Sequence, residues 1–230
     1  MDFIIFLLRW IHFLAGITWI GLLYYFNLVQ TPFFAETEPA VRSGAIQKLV
    51  PRALWWFRWG AMFTFLAGAL MYLDELGRQG VAEFFNRSYG WSITVGGLLG
   101  TIMFLNVWLV IWPNQKVVIA STTQVAQGGQ AIPEAAACAR RAGLTSRTNT
   151  LFSIPMLFYM GAARHYTFFG EASGGTIVAI IVIGGIIIAA IELNALVGSQ
   201  GVTKKPLDTV SGTLWAAFIL TAILYLLFVI

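Results

Sequence analysis

Charged residues, cysteine and histidine are what this 230-residue chain has least of: 10% of its residues are charged, and it holds one cysteine and two histidines. A single thiol, Cys138, excludes an internal disulfide and any Cys-x-x-Cys-His attachment site for haem c. Two histidines and few acids argue against a zinc or di-iron centre, which draws on several such ligands at once. No phosphate loop, dinucleotide fingerprint or hydrolase motif occurs. The N-terminus lacks the basic start of a secretory signal, and its apolar run outlasts the usual signal core, so it reads as a retained span. There is no low-complexity tract and no clear repeat. Phe-Leu-Ala-Gly recurs at 13–16 and 65–68, which is too short to count.

What is present is apolar. The chain is 58% hydrophobic with nine tryptophans, and its mean hydropathy is +0.78. That composition points to an all-α, polytopic membrane bundle, read as one integral domain over 1–230 with the lipid bilayer as its main partner. Runs long enough to cross are expected at 3–30, 53–74, 90–113, 148–168, 174–197 and 209–230. The odd-numbered connections hold Arg42, Lys48, Arg52, Lys116, Arg140, Arg141, Arg147, Lys204 and Lys205, against Arg78, Arg87 and Arg164 in the even ones. The excess places the odd connections in the cytoplasm and both termini outside. The net charge of +4 sits in those loops and is no argument for nucleic acid. In the third connection, 117–127 and 133–141 read as two short surface helices divided by Gly128-Gly129. Pro155 is expected to bend span 4.

Two polar groups then stand out at different depths. In span 1, Arg9, His12, Gly16, Leu23 and Asn27 fall on or near one helical face. An intramembrane imidazole is costly to bury. With a glycine one turn on and an arginine one turn back, it suits a flat cofactor: haem b with its iron on His12, the ring near Gly16, and Arg9 meeting a carboxylate. A hydrogen-bonded histidine at a helix–helix contact with a snorkelling arginine is the plainer alternative. His165, at the outer end of span 4, is the candidate second axial ligand, although its depth differs from that of His12 by about 10 Å. Met156, Met160 or no second ligand remain as alternatives.

Nearer the cytoplasm, Asn27, Arg58, Asn106, Arg147, Asn149 and Glu192 make a candidate pocket for a planar anionic molecule or a quinone head group. Gln115, Lys116 and Asn194 belong to the same inner polar cluster. Glu192 needs a partner inside a span, and Arg58 lies at a compatible depth. The same asparagines also suit interhelical hydrogen bonding.

Several stretches together resemble a known family. Trp10-Ile11-His12-Phe13-Leu14-Ala15-Gly16-Ile17-Thr18-Trp19-Ile20-Gly21 is similar to the opening helix of the membrane domain of bacterial urate hydroxylases, classed as a urate oxidase N-terminal domain. Trp56-Phe57-Arg58-Trp59-Gly60-Ala61, Asn106 to Pro113 with Gln115-Lys116, Ser146-Arg147-Thr148-Asn149-Thr150, Pro155 to Phe158 and His165-Tyr166 extend the resemblance to span 4. It implies a membrane-bound oxidoreductase acting on urate or a similar purine-like molecule. Family members continue into a cytochrome c domain and this chain does not, which implies electron transfer to a separate cytochrome c or larger complex. The Trp-x-His start is also similar to haem-binding membrane protoporphyrinogen oxidases and copper-resistance D proteins. The first of these implies a haem-ligand role for His12. The alternative from another class is a non-catalytic transmembrane subunit of a respiratory or photosynthetic electron-transfer complex. A transporter is disfavoured by the lack of paired broken helices.

Overall fold

The computed structural model describes residues 2–167 and 174–229, and within these the side chains of 181–227 and 2–167. The described residues are helical, with no strand among them. A first long rod runs through α1 (Asp2–Tyr24), a π-helical segment (Tyr25–Gln30) and α2 (Thr31–Glu36). After α3 (Pro39–Lys48), α4 (Val50–Gln79) returns across the bundle, and α5 (Val81–Phe85) turns the chain. A second rod repeats the pattern as α6 (Ser88–Leu105), a π-helical segment (Asn106–Ile111) and α7 (Trp112–Ala126), and α8 (Ala135–His165) returns. Beyond these lie α9 (Gly174–Leu196), a short 3₁₀ turn, α10 (Lys205–Asp208) and α11 (Val210–Val229).

Three of the described helical stretches are long and apolar enough to cross a membrane: Asp2–Glu36, Ser88–Ala126 and Val210–Leu227. The helices α4 and α8 have the length, at 30 and 31 residues, but are less apolar because they carry the tryptophan cluster with Arg58 and the Arg147–Ser153 polar run. The expected ends at 168 and 230 lie outside the described residues.

The two surface helices expected at 117–127 and 133–141 are not separate elements. The first is the end of α7 and the second the start of α8. No breaker stands between Asn114 and Gln127, so the helix continues until Gly128, whose φ of +85° is reached cheaply only by glycine. Pro155 lies inside α8, which runs on to His165.

Both π-helical segments have the same local cause. Pro32 and Pro113 each stand two residues beyond a π segment. A proline offers no N–H, and its ring crowds the carbonyl four residues back, here Leu28 and Leu109 inside those segments. Widening the turn relieves the clash and frees carbonyls. A side chain bonds to a carbonyl in each segment: Thr31 Oγ1 donates to Phe26 O, which also accepts the Thr31 N–H, and Asn114 Nδ2 donates to Val110 O, both side-chain bonds at 2.7 Å.

The core forms where two antiparallel pairs meet. The helix α1 lies along α4, and α6 along α8, while α11, α7 and α9 pack on other sides of α8. One glycine lets each pair close. A Cβ on Gly60 would stand 3.2 Å from the Ala15 carbonyl and the Trp19 nitrogen, and one on Gly96 3.1 Å from Met160. Trp19, Phe57, Met103, Phe152 and Tyr159 fill the centre and are almost fully buried. Because α8 is surrounded, its polar residues Thr145, Thr148, Asn149, Thr150 and Ser153 are buried too.

Candidate functional site

The bundle has two polar regions, one at the end carrying His12 and one at the end carrying Asn27. At the histidine end, the His12 ring is wedged between α1 and α4. Its Nδ1 lies 2.8 Å from the Thr64 carbonyl. A carbonyl oxygen only accepts, so Nδ1 carries the proton and Nε2 keeps its lone pair. Nε2 takes no hydrogen bond among the described residues. The ring sits over Gly68, where a Cβ would come within 2.9 Å of Cε1 and 3.1 Å of Nδ1. Thr64 is fixed in turn by its hydroxyl bond to the Gly60 carbonyl at 2.7 Å. Gly16 faces Thr64 across the same contact, at 3.8 Å from a built Cβ. Arg9 is exposed one turn away.

The register between α1 and α8 is set by Tyr24 Oη with Ser153 Oγ at 2.9 Å and Asn27 Nδ2 with Ser146 Oγ at 2.8 Å. Twelve residues beyond the Tyr24–Ser153 pair stand His12 on one helix and His165 on the other. Each is about 18 Å along its axis, so the depth gap expected between the histidines closes. They nevertheless occupy different faces. Arg164 reaches Glu75 of α4 at 3.7 Å and lies over the Tyr89 ring of α6 at 4.6 Å. His165 is a further 100° around the helix, on the side where Phe158 and Tyr166 meet Tyr225 of α11, and it is exposed. Met156 is buried in the core, and Met160 packs on Gly96.

At the other end, the structure joins three of the six expected pocket residues and separates the rest. Asn149 Nδ2 donates to the Met103 carbonyl at 3.0 Å, beside the π segment. That turns its Oδ1 toward Asn106, whose Nδ2 donates at 2.9 Å and gives its second hydrogen to Glu192 Oε2 at 3.1 Å. The expected Arg58–Glu192 pairing is not present. The Arg58 guanidinium lies 4.0 Å from the Trp112 ring centre and 5.6 Å from that of Trp108, a cation–π position. Arg147 is buried, with Nη1 lacking a partner among the described residues. It sits two residues from Asn149, about 200° around α8, and so on another face. Asn27 turns instead to Leu23 O and Ser146 Oγ.

A cleft of about 80 Å³ opens beside Asn27, between the two π segments, α4 and α8. Gln30, Thr31, Gln115 and Ser146 line it with Phe26 and Phe57. Of the expected inner cluster, Asn27 and Gln115 border it, and Arg58, Asn106, Arg147, Asn149 and Glu192 do not. Gln30 and Ser146 were not singled out as pocket residues from the sequence. The available signal was the pair of prolines, Pro32 and Pro113, that open the neighbouring turns. No group of three or more metal-ligating side chains exists among the described residues.

The family model described as urate oxidase N-terminal matches residues 81–223, more than half of the chain, and the chain belongs to that family. Asn106, Arg147, Asn149 and Glu192 lie within the matched residues, whereas His12, Asn27 and Arg58 precede them. No curated protein and no solved structure matches the chain.

Proposed function

We propose that this member of the urate oxidase N-terminal family is an integral membrane redox protein that binds haem b at His12. In this reading it takes electrons from urate or a similar purine-like molecule on the cytoplasmic side and passes them to a separate periplasmic cytochrome c or larger complex. Six segments cross the bacterial inner membrane as one domain, namely α1, α4, α6 with its π segment, α8, α9 and α11, and both termini are periplasmic. Arg58, Asn106, Arg147, Asn149 and Glu192 then belong to the cytoplasmic half, beside Trp55, Trp56 and Trp112, which suit a membrane interface.

The observation that carries the haem assignment is the His12–Thr64 hydrogen bond. A metal-binding histidine ordinarily gives its other ring N–H to a carbonyl or carboxylate, which fixes the tautomer and raises the basicity of the ligating nitrogen. His12 Nδ1 is held in that way at 2.8 Å, with Nε2 free and Gly68 leaving room for the ring. The residues present therefore fit one axial ligand, and a bound haem would supply one-electron redox chemistry there. Arg9, three residues away on the same face, is placed for a carboxylate.

The deciding experiment is a dithionite-reduced minus oxidised visible spectrum of the purified protein beside its His12→Ala variant. Haem b bands in the parent, lost in a variant that still folds, are expected. A well-folded parent without haem would end the redox reading and leave the transmembrane-subunit alternative, to be pursued by co-purification in mild detergent.

A further inference from the structure

The cleft between the π segments is lined by uncharged amides and hydroxyls and by an apolar side. The Asn27 amide nitrogen is committed to Leu23 O at 2.9 Å and Ser146 Oγ at 2.8 Å, so its Oδ1 is the group left to accept. Gln30 Oε1 is buried and has no hydrogen-bond partner among the described residues. No Asp, Glu, Lys or Arg borders the cleft. Phe26 and Phe57, edge to face at 5.5 Å, line its apolar side. A buried acceptor without a donor is costly, so an occupant gains most by bringing N–H groups to these oxygens. An ionised edge would be desolvated here with no counter-charge.

We propose that this cleft binds the uncharged edge of a planar imide or cyclic urea, with Gln30 Oε1 and Asn27 Oδ1 accepting its N–H groups. Gln115, which also lines the cleft, has an amide that can donate to the ring carbonyls. Phe26 and Phe57 offer aromatic surface for the ring. A quinone head group matches poorly, since its carbonyls only accept and would face two acceptors. The inference rests on the proposed entry of a purine-like donor from the cytoplasm. It moves the recognition of that donor from Arg58 and Arg147 to the amides of the cleft.

The test is equilibrium binding of xanthine and of caffeine to the full chain in nanodiscs. Caffeine keeps the dione ring but has every N–H methylated. Saturable xanthine binding is expected, with caffeine at least about tenfold weaker because it leaves both acceptors unpaired. Gln30→Ala should weaken xanthine by about 3- to 10-fold, the loss of one hydrogen bond, while unfolding of the variant stays near that of the parent. Equal affinity for the two ligands, preference for menadione over xanthine, or no xanthine binding at millimolar concentration would each overturn the proposal. The comparison of ligands on the parent protein decides the matter even if Gln30→Ala fails to fold. Binding is read without haem, so a failure here is distinct from a failure of the spectral test on His12.

Discussion

Gly68→Ala is the sharpest probe of the histidine end, because its sign depends on where the His12 ring lies. In an exposed helix, replacing glycine by alanine stabilises by about 1 kcal/mol. At Gly68 the new methyl would stand 2.9 Å from Cε1 and 3.1 Å from Nδ1 of His12, both atoms of a stiff ring rather than the tip of a flexible chain. The ring must move, and the 2.8 Å bond to the Thr64 carbonyl moves with it. Crowding of that kind costs about 1–3 kcal/mol, and the lost hydrogen bond about 0.5–1.5 kcal/mol. Against the helix gain, the expected result is a net loss of about 2 kcal/mol, or roughly 4–8 °C in Tm for a chain of this size. The control is Gly77→Ala on the same helix, where nothing lies within 4 Å of the built Cβ. That change should stabilise by about 1 kcal/mol. Thermal unfolding of both variants in one detergent compares them directly. If Gly68→Ala were as stabilising as Gly77→Ala, the ring could not be resting on Gly68, and the tautomer argument for His12 would fall with it.

Two further outcomes test the other end. Asn106→Ala leaves Asn149 Oδ1 and Glu192 Oε2 without their donor. A loss of about 2–3 kcal/mol in chemical unfolding is expected. Glu192→Gln should cost under about 1 kcal/mol, since the amide oxygen accepts the same bond, and equal losses in the two variants would disprove the network. Cys138, the single thiol, lies in the first turns of α8. A membrane-impermeant maleimide should reach it in inverted vesicles and not in intact cells, and labelling from outside would reverse the proposed orientation.

What the sequence made legible was periodic or compositional. Apolar runs announced the helices, and burial of Asn106, Asn149 and Glu192 within them announced that these side chains must find partners. Partner identity was not legible, because it depends on which helices touch. Arg58 and Glu192 share a plausible depth, yet Arg58 is turned onto Trp108 and Trp112, and Asn106 takes the carboxylate instead. The helix ends beyond the apolar runs were misjudged for a related reason. Hydropathy reports where lipid stops, whereas 117–126 and 135–147 continue as helix because nothing in them breaks it. The π segments were hidden although their cause, a proline two residues on, was in plain view at Pro32 and Pro113.

The separation of the two polar ends constrains any coupled chemistry. Fifteen residues of helix divide Asn27 from His12, about 22 Å along the axis. Near the amide end the hydroxyls bond mostly to backbone: Thr150 Oγ1 donates to the Ser146 carbonyl and Ser153 Oγ to the Thr150 carbonyl, and only Tyr24 and Ser153 meet hydroxyl to hydroxyl. Beyond that pair the α1 face is Leu23 and Trp19, both nearly sealed, and the Trp19 indole N–H has no partner among the described residues. Protons move along hydrogen-bonded groups, and neither of these two side chains offers one among the described residues. Under the proposed reading, electrons from a donor oxidised at the amide end would have to reach His12 without the protons released beside them. Electron and proton would then part across the membrane, so turnover should slow as an opposing membrane potential is raised.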